Sequence, residues 1–186
     1  MTNIDPREAA QALNDITQIV QRVRQSRTYD IASLMMILWG ALVFAGNIAT
    51  FVWPRYGGFI WIGVNAAGAL GSIAVSVFRF PGAGGRGFDR RMAIAFLLFF
   101  AFGLLCSSVL GHFGPREMGA FWPIYFMLFY CIAGLWFGHA FIAIGLGITV
   151  LTLIGYFFVT GAAFLLWMAA VNGGGLVLGG LWMRRI

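Results

Sequence analysis

Long apolar runs alternate with short polar joints along most of this chain. From position 31 onward six runs qualify as membrane spans, each near the about 20 residues of helix that a bilayer core requires. They are 31–53, 58–78, 92–110, 120–137, 140–159 and 162–183, and none contains Asp, Glu, Lys or Arg. Two of the joints are very tight, so consecutive runs read as antiparallel neighbours. The pattern predicts an all-α integral membrane protein of six transmembrane helices, paired as three tandem αα-hairpins at 31–78, 92–137 and 140–183.

Residues 1–30 follow a different rule. Asp5, Pro6 and Glu8 make a helix start, with a side-chain cap, a proline in the first turn and a carboxylate near the helix N-terminus. Leu13, Ile16, Val20 and Val23 then recur at spacings of 3, 4 and 3, a narrow heptad seam on an otherwise Gln-, Asn- and Asp-rich helix. This predicts a cytoplasmic amphipathic helix over 1–30, ahead of a transmembrane domain over 31–186. The seam is the candidate interface for a second copy of the chain or for a cytosolic protein partner. The alternative is a helix lying on the cytoplasmic face of its own bundle. Nothing in this charged segment has the form of a cleavable signal peptide.

A phrase recurs at the hairpin tips. Pro54-Arg55-Tyr56-Gly57-Gly58-Phe59-Ile60-Trp61 is followed by Pro115-Arg116-Glu117-Met118-Gly119-Ala120-Phe121-Trp122. A weaker copy, Gly161 to Trp167, lacks the Pro-Arg pair. Either the hairpin is an internal repeat or each tip simply favours Pro, Gly and an interfacial aromatic. The spacing Gly40, Gly46, Pro54, Trp61, Gly68 resembles the short two-helix repeat of the HdeD-type acid-resistance membrane proteins, also three tandem hairpins. The resemblance implies a small inner-membrane protein with a stress-related role and no catalytic residues to carry over. The charged N-terminal segment departs from that pattern.

Composition sharpens the picture. At 61% hydrophobic and 10% charged, the chain is no soluble domain. All twelve cationic residues are arginine. Arg7, Arg22, Arg24 and Arg27 precede the first span, Arg79, Arg86, Arg90 and Arg91 join the second to the third, and Arg184 and Arg185 end the sixth. Only Arg55 and Arg116 fall on the other side. By the positive-inside rule both termini are cytoplasmic, in a bacterial-type inner (plasma) membrane. Spread along membrane edges, these charges do not form a nucleic-acid surface. Trp53, Tyr56, Trp61, Trp122, Tyr125, Tyr156 and Trp167 mark the outer interface, and Trp136 and Trp182 the inner one.

Candidate chemistry is sparse. His112 and His139 fall at opposite ends of the spans, about 30 Å apart, so they cannot hold one haem iron; no cofactor is predicted. Cys106 and Cys131 differ in depth by about 8 Å, too far for an unstrained disulfide. Ser107-Ser108 has no base nearby in sequence, and Gly82-Ala83-Gly84-Gly85 lacks the strand and helix that a phosphate loop needs. Polar residues within the spans are the remaining candidates. Asn47 and Asn65 are each nine residues from Tyr56, at one depth in the first hairpin, and are expected to bond each other. Asn172-Gly173-Gly174-Gly175 places three helix-weakening glycines mid-span. Either the run gives a flat surface for close helix packing or it breaks the helix beside a solute site, with Asn47, Asn65, Thr149 and Thr152 nearby. Small residues at every fourth position (Ala41-Ala45-Ala49, Gly63-Ala67-Gly71, Gly103-Ser107-Gly111, Gly134-Gly138, Gly175-Gly179) are expected to line helix contacts. The sequence therefore favours a non-catalytic membrane module that oligomerises or docks a partner. A small-solute or lipid channel or transporter is the alternative.

Overall fold

A computed structural model describes residues 6–79, 90–111 and 113–185. Asp5, positions 80–89 of the arginine-rich loop and His112 lie outside the described residues, as do the side chains of Leu13, Val20 and Val23. The described residues are helical almost throughout and include no strand.

Helix α1 runs unbroken from Pro6 to Val52, 47 residues. The amphipathic segment and the first span, expected as two elements, are therefore one rod of about 70 Å. Its apolar window is Tyr29–Val52, so residues 6–28 extend roughly 35 Å beyond it. A 3-10 turn at Pro54–Tyr56 leads into α2 (Gly57–Arg79). Helix α3 (Arg90–Leu105) ends in a π turn, Cys106–Leu110. Helices α4 (Pro115–Phe137) and α5 (His139–Phe158) are joined by Gly138 alone. That one-residue joint demands a positive φ of 128°, which glycine adopts without a Cβ clash. Helix α6 (Ala163–Met168) passes through a π segment, Ala169–Gly174, into α7 (Gly175–Met183).

Among the described residues five helices are long and apolar enough to cross a membrane, and a shorter apolar helix spans Ile94–Val109. The chain is thus a multi-pass membrane protein. Facing residues show that neighbours run antiparallel. Leu38 meets Gly71 while Gly46 meets Val64; Gly134 meets Ile142 while Met127 meets Gly145; Ser33 meets Gly180 while Phe44 meets Gly173. Directions therefore alternate along the chain, and Arg184 closes it by donating from Nε to Ser33 Oγ at 3.2 Å.

The most extensive helix contacts are between α4 and α5 and between α1 and the α6–α7 rod, not within the second and third sequence hairpins. The buried core draws Tyr29 and Met36 from α1, Met127 from α4, Phe141, Ile144 and Ile148 from α5, and Val171, Leu176 and Met183 from the last rod. Helix α3 adheres to α4 through rings: Phe99 stacks on Tyr125 at 4.1 Å, and the Tyr125 hydroxyl donates to Phe99 O at 2.8 Å. Helix α2 leans on α1, where Gly68 lies under the Trp39 ring and Trp39 Nε1 donates to Ser72 Oγ at 3.1 Å. The remaining faces of α2 and α3 are uncovered by protein and mostly apolar, with the exposed Asn65 and Ser76 bonded to their own helix.

Not all the expected small-residue stripes are contacts. Gly103, Gly134 and the Gly175-Gly179 pair sit against neighbouring helices. Ala41, Ala45, Gly63 and Ala67 are exposed instead, one helical step round from the residues that do pack.

Candidate functional site

The polar centre lies where the last rod passes between α1 and α5. Its backbone is not broken at the glycine run, which forms a π turn within a continuous helix. A π turn adds a residue to one loop of the helix and shifts the side chains that follow. Here it leaves Asn172 bonded to α5 while Gly173 abuts α1. The Asn172 amide, 3% exposed, donates from Nδ2 to Oγ1 of fully buried Thr152 at 3.3 Å and lies 3.6 Å from Met168 Sδ. Gly173 packs on α1 main chain: a methyl added there would sit 2.5 Å from Phe44 Cβ and 2.6 Å from Phe44 Cα and N. Gly40 reciprocates, with Gly173 O and Val177 N each 2.8 Å from where its Cβ would be. Gly175 turns to Ile148 of α5, whereas Gly174 has nothing within 4 Å. The run thus packs on two sides, through Gly173 against α1 and through Gly175 against α5.

The other polar candidates do not converge as expected. Asn47 is buried, yet its Nδ2 donates to Val43 O of its own helix at 2.9 Å. Asn65 is exposed and does the same, to Trp61 O at 2.8 Å. The predicted Asn47–Asn65 bond is absent. Equal depth did not mean equal azimuth: Gly46 and Val64 make the contact between α1 and α2, and each asparagine is the next residue, about 100° round its helix. Thr149 also bonds its own helix, at Gly145 O, 2.7 Å. What the fold brings together is Asn172 and Thr152. Both amide and hydroxyl are neutral, so the pair can pin helices or orient a dipole but offers no proton for transfer at ordinary pH.

A second polar feature was not anticipated. Arg116, in the first turn of α4, donates from Nη2 to Tyr156 O near the end of α5. Its guanidinium lies 5.4 Å from the Tyr156 ring centroid and 5.0 Å from that of Phe164. It thus ties α4, α5 and α6 together at the tip side, satisfying a carbonyl at a helix C-terminus where cations are favoured. Phe164 belongs to the third copy of the tip phrase and Arg116 to the second, which was the available signal. Arg55, the equivalent residue of the first copy, is exposed.

Among the described residues no group of three or more His, Cys, Asp or Glu is placed to hold a metal ion, and Cys106 and Cys131 are free thiols. The class defined by this fold is an all-helical multi-pass membrane protein pinned by one buried amide–hydroxyl pair and an arginine clamp. No protein-family model, no curated protein and no solved structure matches the chain.

Proposed function

We propose that this chain is a non-catalytic membrane module that self-associates through its N-terminal helix, with both termini cytoplasmic in a bacterial-type inner membrane. The observation that carries the reading is the unbroken α1, which takes the seam off the end of the bundle. Ile16, a seam residue, is 57% exposed, and Gln11, Asn14, Asp15 and Ser26 around it are exposed as well. A rigid extension of roughly 35 Å does not fold back onto the bundle. Two copies in one membrane hold their rods parallel, the arrangement in which an a/d seam pairs. Transport past Asn172 has less support, because its amide is bonded and Gly173 is closed against α1. The stress-related role belongs to the HdeD-type resemblance, and three of its marker residues, Gly40, Gly46 and Gly68, occupy tight helix contacts.

The test is the native mass in mild detergent. Deleting residues 2–27, or changing Ile16 and Val20 to Glu, should leave the spans folded and lower the oligomeric state. Loss of a co-purifying cytosolic protein with unchanged subunit number would replace self-association by partner docking. Unchanged mass and partners, with altered solute flux, would transfer the case to transport. Orientation is read separately, with cysteines at Tyr56 and Gly87 in a background lacking Cys106 and Cys131. An impermeant reagent should label the first in intact cells and spare the second.

A further inference from the structure

An apolar groove of about 300 Å³ lies between α5 and α7, open to the surroundings along its length. Ala143, Gly147 and Leu151 form one wall; Gly175, Leu178 and Trp182 form the other. Glycines make the hollow: nothing comes within 4 Å of a methyl built on Gly147, while methyls built on Gly175 and Gly179 would lie about 3 Å from Ile148 and Ile144, so these glycines let the helices close at its floor. From Ala143 to Leu151 the groove is about 12 Å long, close to the about 15 Å depth of one leaflet's hydrocarbon.

The groove has one charged end. Leu178 and Trp182 are followed at the next helical step by Arg185, which is exposed; Arg184, one residue earlier, is turned instead to Ser33 of α1. On α5 the row Leu151, Gly147, Ala143 leads to exposed His139 at the helix start. Facing contacts pair Ile144 with Gly179 and Ile148 with Gly175, so His139 and Arg184 fall at one depth. The first backbone N–H groups of α5, a 20-residue helix, point to the same place and favour an anion. Asp30, a described carboxylate at this end of the spans, is exposed on α1, whose Tyr29 packs edge-on against Phe141 of α5.

We propose that this groove is a binding site for an anionic phospholipid, one acyl chain lying between α5 and α7 and the phosphate held by Arg185, His139 and the start of α5. Bulk lipid fills any hollow in a membrane protein, but a chain-wide apolar slot ending in an arginine and helix-start N–H donors selects by headgroup.

The experiment uses the full chain reconstituted in vesicles of equal phosphatidylglycerol and phosphatidylcholine, released into mild detergent and weighed by native mass spectrometry. The wild type should retain one phosphatidylglycerol per subunit, at least several-fold over phosphatidylcholine. Gly147→Leu places its side chain in the slot from a position where a Cβ meets nothing within 4 Å, and should abolish retention of either lipid while the fold is kept. Arg185→Gln should keep a lipid bound but bring the headgroup preference to near parity. Equal retention of the two lipids by wild type would overturn the proposal, as would undiminished phosphatidylglycerol on folded Gly147→Leu. Preference unchanged in Arg185→Gln would move the headgroup site elsewhere and overturn the assignment to this groove.

Discussion

Gly173 and Gly174 are adjacent in sequence and opposite in environment, so alanine at each separates close packing from helix propensity. At Gly173 the new methyl would lie 2.5 to 2.6 Å from three atoms of Phe44, two of them main chain. Carbon contacts are favourable at about 3.5–4.0 Å, so α1 and the last rod would have to part by roughly 1 Å. Overpacking of this kind costs about 1–3 kcal/mol, and the backbone cannot step aside as a flexible side chain would. Alanine returns at most about 1 kcal/mol by lowering the cost of a helical conformation. At Gly174 only that gain applies, since its methyl meets nothing within 4 Å. Gly173→Ala should therefore be about 1–3 kcal/mol less stable than Gly174→Ala, and Gly174→Ala should match or exceed wild type. Reversible unfolding in mixed micelles, followed by tryptophan fluorescence, reads both. The displacement should also loosen the Arg184–Ser33 bond, whose partners ride on the same two helices. Equal stability of the two variants would refute the backbone-to-backbone contact and reopen the glycine run as a flexible break.

Three more outcomes follow from the polar contacts. Thr152→Val keeps volume but removes the acceptor of Asn172, and should cost about 0.6–2 kcal/mol in the same unfolding assay; adding Asn172→Leu should cost less than the summed single effects. Asn47→Leu and Asn65→Leu, in contrast, should combine additively within about 0.5 kcal/mol because each amide bonds only its own helix. Arg116→Gln should lose about 1–3 kcal/mol through the Tyr156 carbonyl and the two rings together, with Arg116→Lys recovering only part of it, while Arg55→Gln should be near neutral.

Much of the fold was legible because hydrocarbon imposes one demand on sequence: apolar residues in runs long enough to close their own backbone hydrogen bonds. Pro54, Pro115, Gly138 and Gly161 mark the joints for the same reason, each at a place where the helix must start or turn. The continuity of α1 was legible too. No Gly or Pro occurs from Arg7 to Trp39, so nothing in the chain stops a helix at the change from polar to apolar. A shift in composition marks where a rod leaves the membrane, not where it ends.

The candidate site was legible in depth and illegible in azimuth. Counting residues from Tyr56 puts Asn47 and Asn65 each one residue from the Gly46–Val64 contact, but one residue of rotation separates a side chain that faces the partner helix from one that does not. Only tertiary packing fixes that rotation, and here Gly46 and Val64 take the interface. The glycine run was ambiguous for a related reason. Three glycines permit a break, a π turn or a flat helix face, and the choice depends on what lies opposite. Phe44 and Gly40 of α1 lie opposite, bringing main chain against main chain, and Thr152 stands across from Asn172 to take its proton donor. With both sides of the turn occupied, the rod has no reason to open, and the amide that suggested a solute site becomes the peg that sets the register of α6 and α7 against α5.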